Sequence, residues 1–309
     1  MDPIKTILVI ADPTAPDQPA VRKAGIIAAK LHAGIELLAC ETKSSLELRR
    51  GNQLAGGQHP PFAGLQPWLE SLAAPLRALG VEVTTCAIKG DPLDRAVLAW
   101  MRNSPADMVI KDTHHHTLTK RTFLGNTDWH LIRDCPRPLL LTKPTGWKEP
   151  LVLAAAIDPP RKAGQDGLDK RIIECAQAIG RSLHAAVHAV HAYFPEIIAA
   201  ESTSPEPSFF GITPEILQAE KSLHQSRISS LLAPYGVAPD CVHVDMGFPS
   251  DYLPRMAAQF GVDIMVMGAI SRSHLKQTII GSTAERLLEY LPCDILVIKE
   301  RNFDENLPF

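Results

Sequence analysis

The 309-residue chain has six cysteines but no Cys-x-x-Cys pair. Cys40, Cys86, Cys135, Cys175, Cys241 and Cys293 stand mostly in apolar segments. Zinc-ribbon and dithiol-redox spacing are thereby missing, and free thiols in a reducing cytoplasm are the expectation. An excess of positive charge is also missing. Lys and Arg number 31 against 34 Asp and Glu, a net charge of -3. That leaves no electrostatic footprint for nucleic acid or an anionic membrane as partner. No apolar run approaches the ~20 residues that span a bilayer. The start, MDPIKTILVIAD, has no basic n-region and reads as a first strand. No P-loop spacing occurs, and no Gly-x-Gly-x-x-Gly follows that strand. No Ser-His-Asp order, paired carboxylates or activated Cys stands out, so no catalytic residue is assigned.

What is present is a 45% apolar, 21% charged chain. That length suggests about two domains of ~150 residues, each able to bury a core. Strand-like and helix-like stretches alternate: KTILVIAD, QPAVRKAGIIAAKLHA, GIELLACET, and so on to RPLLLTK. The second half repeats that order from LVLAAAIDPP to CDILVIKE. Residues 125–143 align with 281–299 without a gap: Gly125 meets Gly281, Pro136 meets Pro292 and Lys143 meets Lys299. Asp107 meets Asp263 at the same offset. A repeat of this length predicts two copies of one fold. KPTGWKEP marks the boundary, giving domains over 1–143 and 151–309 with a linker at 144–150. Apolar strands alternating with helices predict parallel sheets covered on both faces.

Each half carries a loop after its fourth strand, where an open parallel sheet binds ligands. In MGAISRSHLKQTIIGSTAERLL, Gly268 permits close backbone approach and Gly281 opens a turn into a helix. Ser282 or Thr283 can cap that helix or donate to an anion. Taken alone, these residues fit a structural turn with a helix cap as well as a phosphate site.

The whole chain resembles the universal stress protein family in its tandem form. The family's nucleotide-binding members carry G-x2-G-x9-G-S/T after strand four. Here the second half reads Gly268, Ser271 in place of the middle Gly, and Gly281-Ser282. The first half reads Asp112, His115 and Gly125-Asn126-Thr127, so two of three glycines are replaced. The resemblance implies two Rossmann-like α/β domains, each a five-stranded parallel sheet with helices on both faces, packed as a pseudo-dimer. It also implies that the last strands, PLLLTK and DILVIKE, pair across a local two-fold, burying Leu140 and Leu296. It further implies a pocket for ATP or another adenine nucleotide, with magnesium as a candidate companion. Asp158, flanked by Ile157 and Pro159, would face adenine or ribose. Met267, Gly268, Ser271, Gly281, Ser282 and Thr283 would hold ribose and phosphates. Asp12, Asp112, His115, Gly125, Asn126 and Thr127 are the degenerate first-half equivalents.

The expected function is a cytoplasmic nucleotide-responsive binding module acting mainly through the second half. A protein partner would read the bound state, and a homodimer is left open. The rival readings are a ligand-free scaffold, an apolar-ligand binder, and a slow ATP hydrolase. His114-His115-His116 is read as a solvated loop, and no metal site is assigned. His188 and His191 fall on opposite faces of one strand. Asp94 and Arg95 are read as the polar face of a helix. Arg272 and Lys276 could screen phosphates or sit in an exposed loop, and the Pro-rich stretch at 195–211 is read as a surface loop or a lid.

Overall fold

The structure is a computed structural model, described here over residues 3–43, 64–116, 121–123, 126–159, 167–195, 213–268 and 287–300. The first half contributes β1 (Thr6–Ala11), α1 (Pro19–Leu31), β2 (Gly34–Glu41), α2 (Leu65–Ala78), β3 (Val83–Lys89), α3 (Leu93–Met101) and β4 (Met108–Asp112). It continues with β5 (His114–His116), β6 (Arg121–Phe123), α4 (Asn126–Asp134) and β7 (Leu139–Thr142). The second half has β8 (Val152–Ala156), α5 (Gly167–Leu183), β9 (Ala186–Tyr193), α6 (Pro214–Leu232) and β10 (Val242–Met246). It closes with α7 (Pro249–Phe260), β11 (Ile264–Gly268) and β12 (Asp294–Ile298).

Because every other side chain of a strand points to the opposite face, a strand buried on both faces must be apolar throughout. β1 meets this: Ile7 and Val9 join one core, while Leu8 and Ile10 join the other. Helices α1, α2, α5 and α6 supply the first core through Ala24, Ile27, Leu69, Ile172 and Ile228. Helices α3, α4 and α7 supply the second through Val97, Leu131 and Met256. Both cores run through residues of both halves.

The two halves share one ten-stranded sheet, ordered β10-β9-β8-β11-β12-β7-β4-β1-β2-β3. Each half has the strand order 3-2-1-4-5 and is internally parallel. The halves meet where β12 and β7 pair antiparallel, with Leu296 opposite Leu140, both fully buried. Two apolar edges are thereby paired with each other instead of left open. The repeat-matched lysines reach reciprocally across this seam. Lys143 Nζ donates to the Leu291 carbonyl, and Lys299 Nζ donates to that of Arg133.

The other repeat-matched pair has a structural role. Asp107 Oδ2 accepts from the Lys5 and Thr6 amides at 2.7 and 3.0 Å. Asp263 accepts from the Lys148 and Val152 amides at 3.0 and 2.9 Å. In both halves a carboxylate ahead of the fourth strand ties down the start of the first.

Two expectations need correction. The triple-histidine stretch is strand β5, paired antiparallel with β6, because the chain leaving β4 folds back as a short hairpin. Asp94 is buried, with its Oδ2 lying 2.8 Å from His130 Nδ1 of α4. Helix α4 crosses α3 there and covers the face that sequence reading gave to solvent. Arg95, beside it, is exposed as expected.

Candidate functional site

Strand order reverses between β1 and β4 and again between β8 and β11. Chain crossing to opposite faces opens a crevice at the carboxyl ends of such strands. The residues at these ends are Asp12 and Asp112 in the first half, and Asp158 and Gly268 in the second.

The first crevice carries its own polar groups. Asp112 Oδ1 accepts from the Ala20 amide at 2.6 Å and from Thr142 Oγ1 at 2.6 Å. The Ala20 amide is one of the unpaired donors at the start of α1, so the carboxylate stands where an external anion would bind. Its Oδ2 is buried without a hydrogen-bond partner among the described residues. Burial pushes the Asp112 carboxyl up to about 6, against the pull of its Thr142 and Ala20 hydrogen bonds and the Lys111 charge. Asp12 was expected as the adenine-side residue. Its Oδ1 accepts from the Thr14 amide at 2.8 Å and hydroxyl at 2.6 Å. Gln18, which sequence reading missed, locks the same turn. Its Nε2 donates to the carbonyls of Asp12 and Ala15, and its Oε1 accepts from the Asp12 amide.

The second crevice is built differently. Gly268 ends β11 opposite Ile298, as Asp112 ends β4 opposite Thr142. A Cβ at Gly268 would lie 2.7 Å from Leu168 Cδ2, so the first turn of α5 packs onto this backbone. Met267 before it is half-buried against the α7-side core. The Asp158 side chain is 83% exposed, with one carboxylate oxygen 3.8 Å from His191 Nδ1. Its amide donates to Asp169 Oδ1 at 2.9 Å. Asp169 is buried in the first turn of α5 and takes the place that Gln18 has in the first half. The signal for it was available, since an acidic residue two positions into a helix favours the N-terminal dipole. Ile157 is buried, and its carbonyl lies 2.9 Å from His191 Nδ1. Pro159 is half-buried.

The crevices therefore bring Asp158 and Gly268 to one end of the sheet, and Asp12 and Asp112 to the other. Thr127 is half-buried in α4. His115 lies in β5 and Asn126 opens α4. Ser271, Gly281, Ser282, Thr283 and Gly125 lie outside the described residues, as do Arg272 and Lys276 and almost all of 195–211.

His188 and His191 do fall on opposite faces of β9, and each meets a second histidine. His188 Nδ1 lies 2.8 Å from His243 Nε2 on β10, and His191 Nε2 lies 2.8 Å from His224 Nδ1 on α6. A cavity of about 640 Å³ lies away from both crevices, beside α3 and the edge strand β3. Its wall includes Glu36, which is held by Trp100 Nε1 at 2.9 Å and by the Ser104 hydroxyl. In the second half His188 has the strand position of Glu36, and there Phe260 and His243 pack against it.

These features define a tandem of open α/β units, fused edge to edge, each with a crevice at its strand-order reversal. Residues 3–143 and 164–299 each match the Universal stress protein family, and the chain belongs to that family. It is 27% identical over 305 residues to universal stress protein E of Escherichia coli strain K12, with 96% of this chain and 94% of that protein covered. A functionally unknown protein from Pseudomonas aeruginosa PAO1 has a similar structure, with a TM-score of 0.73 at 26% identity over 97% of this chain and 94% of that one. A universal stress protein from Archaeoglobus fulgidus, 15% identical, shares the fold with a TM-score of 0.61 over 96% of each chain. No helix among the described residues is long and apolar enough to cross a membrane.

Proposed function

We propose that the chain is an adenine-nucleotide-responsive module of two units, 1–143 and 151–309, and that it binds ATP or a related nucleotide in the second crevice. The observation that carries this is the exchange of Asp112 for Gly268 at matched strand ends. A carboxylate already caps α1 in the first half, and a phosphate there would meet a like charge. At ~5 Å and an effective dielectric of ~20 that repulsion is roughly 3 kcal/mol, about a hundredfold in affinity.

In the second half the exposed Asp158 carboxylate suits a ribose hydroxyl, which donates well to an ionised acceptor. The buried Asp169 disfavours phosphate at the start of α5. Phosphates are therefore assigned to the backbone of Gly268, Ser271 and Gly281 and the hydroxyls of Ser282 and Thr283, with any magnesium on their outer oxygens. The response is binding rather than rapid turnover, with a protein partner reading the bound state.

Calorimetric titration of the full chain with ATP and with AMP tests this. One site is expected. Asp158→Asn should weaken binding about tenfold without touching the fold, since the side chain is exposed. Gly268→Asp should abolish binding, and equal affinity in that variant and the parent refutes the assignment.

A further inference from the structure

The two histidine pairs on β9 lie beside the proposed nucleotide site, His191 Nδ1 standing 3.8 Å from Asp158 Oδ1, and next to an edge of the sheet. β10 is the edge strand, and α6 covers it. The buried residues of α6 are Ile228, Leu231 and Leu232, all at its C-terminal end. Residues 214–227 contain no buried side chain, and Ile216 and Leu223 are exposed. His224, half-buried on this stretch, joins it to strand β9. Its ring stacks on Tyr193 at 4.2 Å and 14° and on His191 at 5.0 Å and 27°.

We infer that His191 and His224 form a proton-operated clasp that holds residues 214–227 of α6 on the sheet, with His188 and His243 securing edge strand β10 in the same way. The hydrogen bonds set the protonation state. His191 Nδ1 faces the Ile157 carbonyl, which only accepts, so Nδ1 carries the proton. In the neutral ring Nε2 is then the acceptor, and His224 Nδ1 must donate to it. One added proton is accommodated at His224 Nε2, with Nδ1 still donating to His191. A second would set two N–H groups against each other at 2.8 Å, and the contact must open.

Charged groups face the His191–His224 pair from β8, α5 and α6. Asp158 at the end of β8, Asp169 on α5 and Glu220 on α6 favour the protonated pair, while Arg227 on α6 opposes it. Burial outweighs these groups, so both rings are held below the usual histidine range. The His188–His243 pair is stacked at 5.1 Å and 16°, with Phe260 of α7 against both rings and Asp240 as the neighbouring charge. Burial again lowers both.

The sign follows from linkage. A histidine that stays neutral when closed and titrates near 6.5 when open favours opening as pH falls below about 6.5. One unit below that value, each proton excluded from the closed form raises the open population about tenfold.

Amide hydrogen exchange on the full chain, corrected for intrinsic rates, tests the clasp at about pH 7.5 and about pH 5.5. Protection across 214–227 is expected to fall about tenfold at the lower pH, while amides of β1 and β4 hold theirs. His224→Phe keeps an aromatic ring on Tyr193 but faces His191 with no second ring nitrogen, and should reduce the pH dependence. His224→Gln keeps a donor toward His191 and should reduce it. Equal protection of 214–227 at both pH values overturns the inference. So does a tenfold drop that persists in His224→Phe, or a loss of protection spread evenly over the chain.

Discussion

Lys23 Nζ lies 2.7 Å from Asp294 Oδ2, across 271 residues of sequence, and both side chains are buried. The Asp294 carboxylate also accepts from the Lys143 amide and from Trp147 Nε1, both at 2.8 Å. Lys23 donates to the Lys143 carbonyl and stands 5.4 Å from the centre of the Trp147 ring. One buried ion pair thus gathers a helix of the first half, the connecting segment and the last strand of the second. Removing one partner leaves a buried charge without compensation. Lys23→Met should cost about 3–5 kcal/mol in urea unfolding monitored at constant m-value. A change below about 0.5 kcal/mol would show that the pair is not what joins the halves.

Asp112 makes a prediction about pH with a definite sign. Its carboxyl is raised to about 6 by burial, so the folded state prefers it protonated. The penalty for ionising it is absent below the unfolded value near 3.8 and fully present above about 6. Asp112→Asn mimics the protonated form and still accepts from Ala20 and Thr142. It should therefore stabilise the protein by about 1–3 kcal/mol at neutral pH and by nothing near pH 4. Chemical denaturation at the two pH values measures this, and destabilisation at neutral pH would contradict it.

Gly268 is constrained by packing as well as by any ligand. Gly268→Ala drives a Cβ to 2.7 Å from Leu168 Cδ2. The contact is the far end of a flexible side chain, so the cost should be about 1–2 kcal/mol rather than unfolding. Leu168→Ala in the same chain should recover part of that loss. An additive double-mutant cycle would mean the strain lies elsewhere.

The cysteines should react in order of burial. All six are free thiols, as expected from their spacing. Burial pushes Cys175 and Cys293 up to about 12, whereas Cys86 and Cys241 are half-buried. A thiol reagent at mild alkaline pH should label Cys86 and Cys241 in the native protein, and Cys175 and Cys293 only after denaturation. Peptide mapping reads the order, and early labelling of Cys293 would refute it.

Much of the architecture was legible in the sequence because its cause is local. An apolar strand buried on both faces announces itself whatever its neighbours are, and β1 and β12 do so. The repeat at matched positions showed two copies of one unit, and the family resemblance implied the pairing of the two apolar last strands at the Leu140–Leu296 seam. The loop after each fourth strand could also be placed, since it follows an apolar strand and leads into a helix, but the order of strands came from the structure.

Charge partners could not be read this way, because a polar side chain takes whatever donor the topology delivers. Asp112 found the start of α1, 92 residues earlier, and so became part of the fold instead of a bare pocket wall. Asp94 was covered by α4 and met His130. His191 and His224 are 33 residues apart, and only the packing of α6 over β9 brings their ring nitrogens together. Hydrophobic periodicity thus fixed which faces are buried, while tertiary packing decided which buried charges and rings meet.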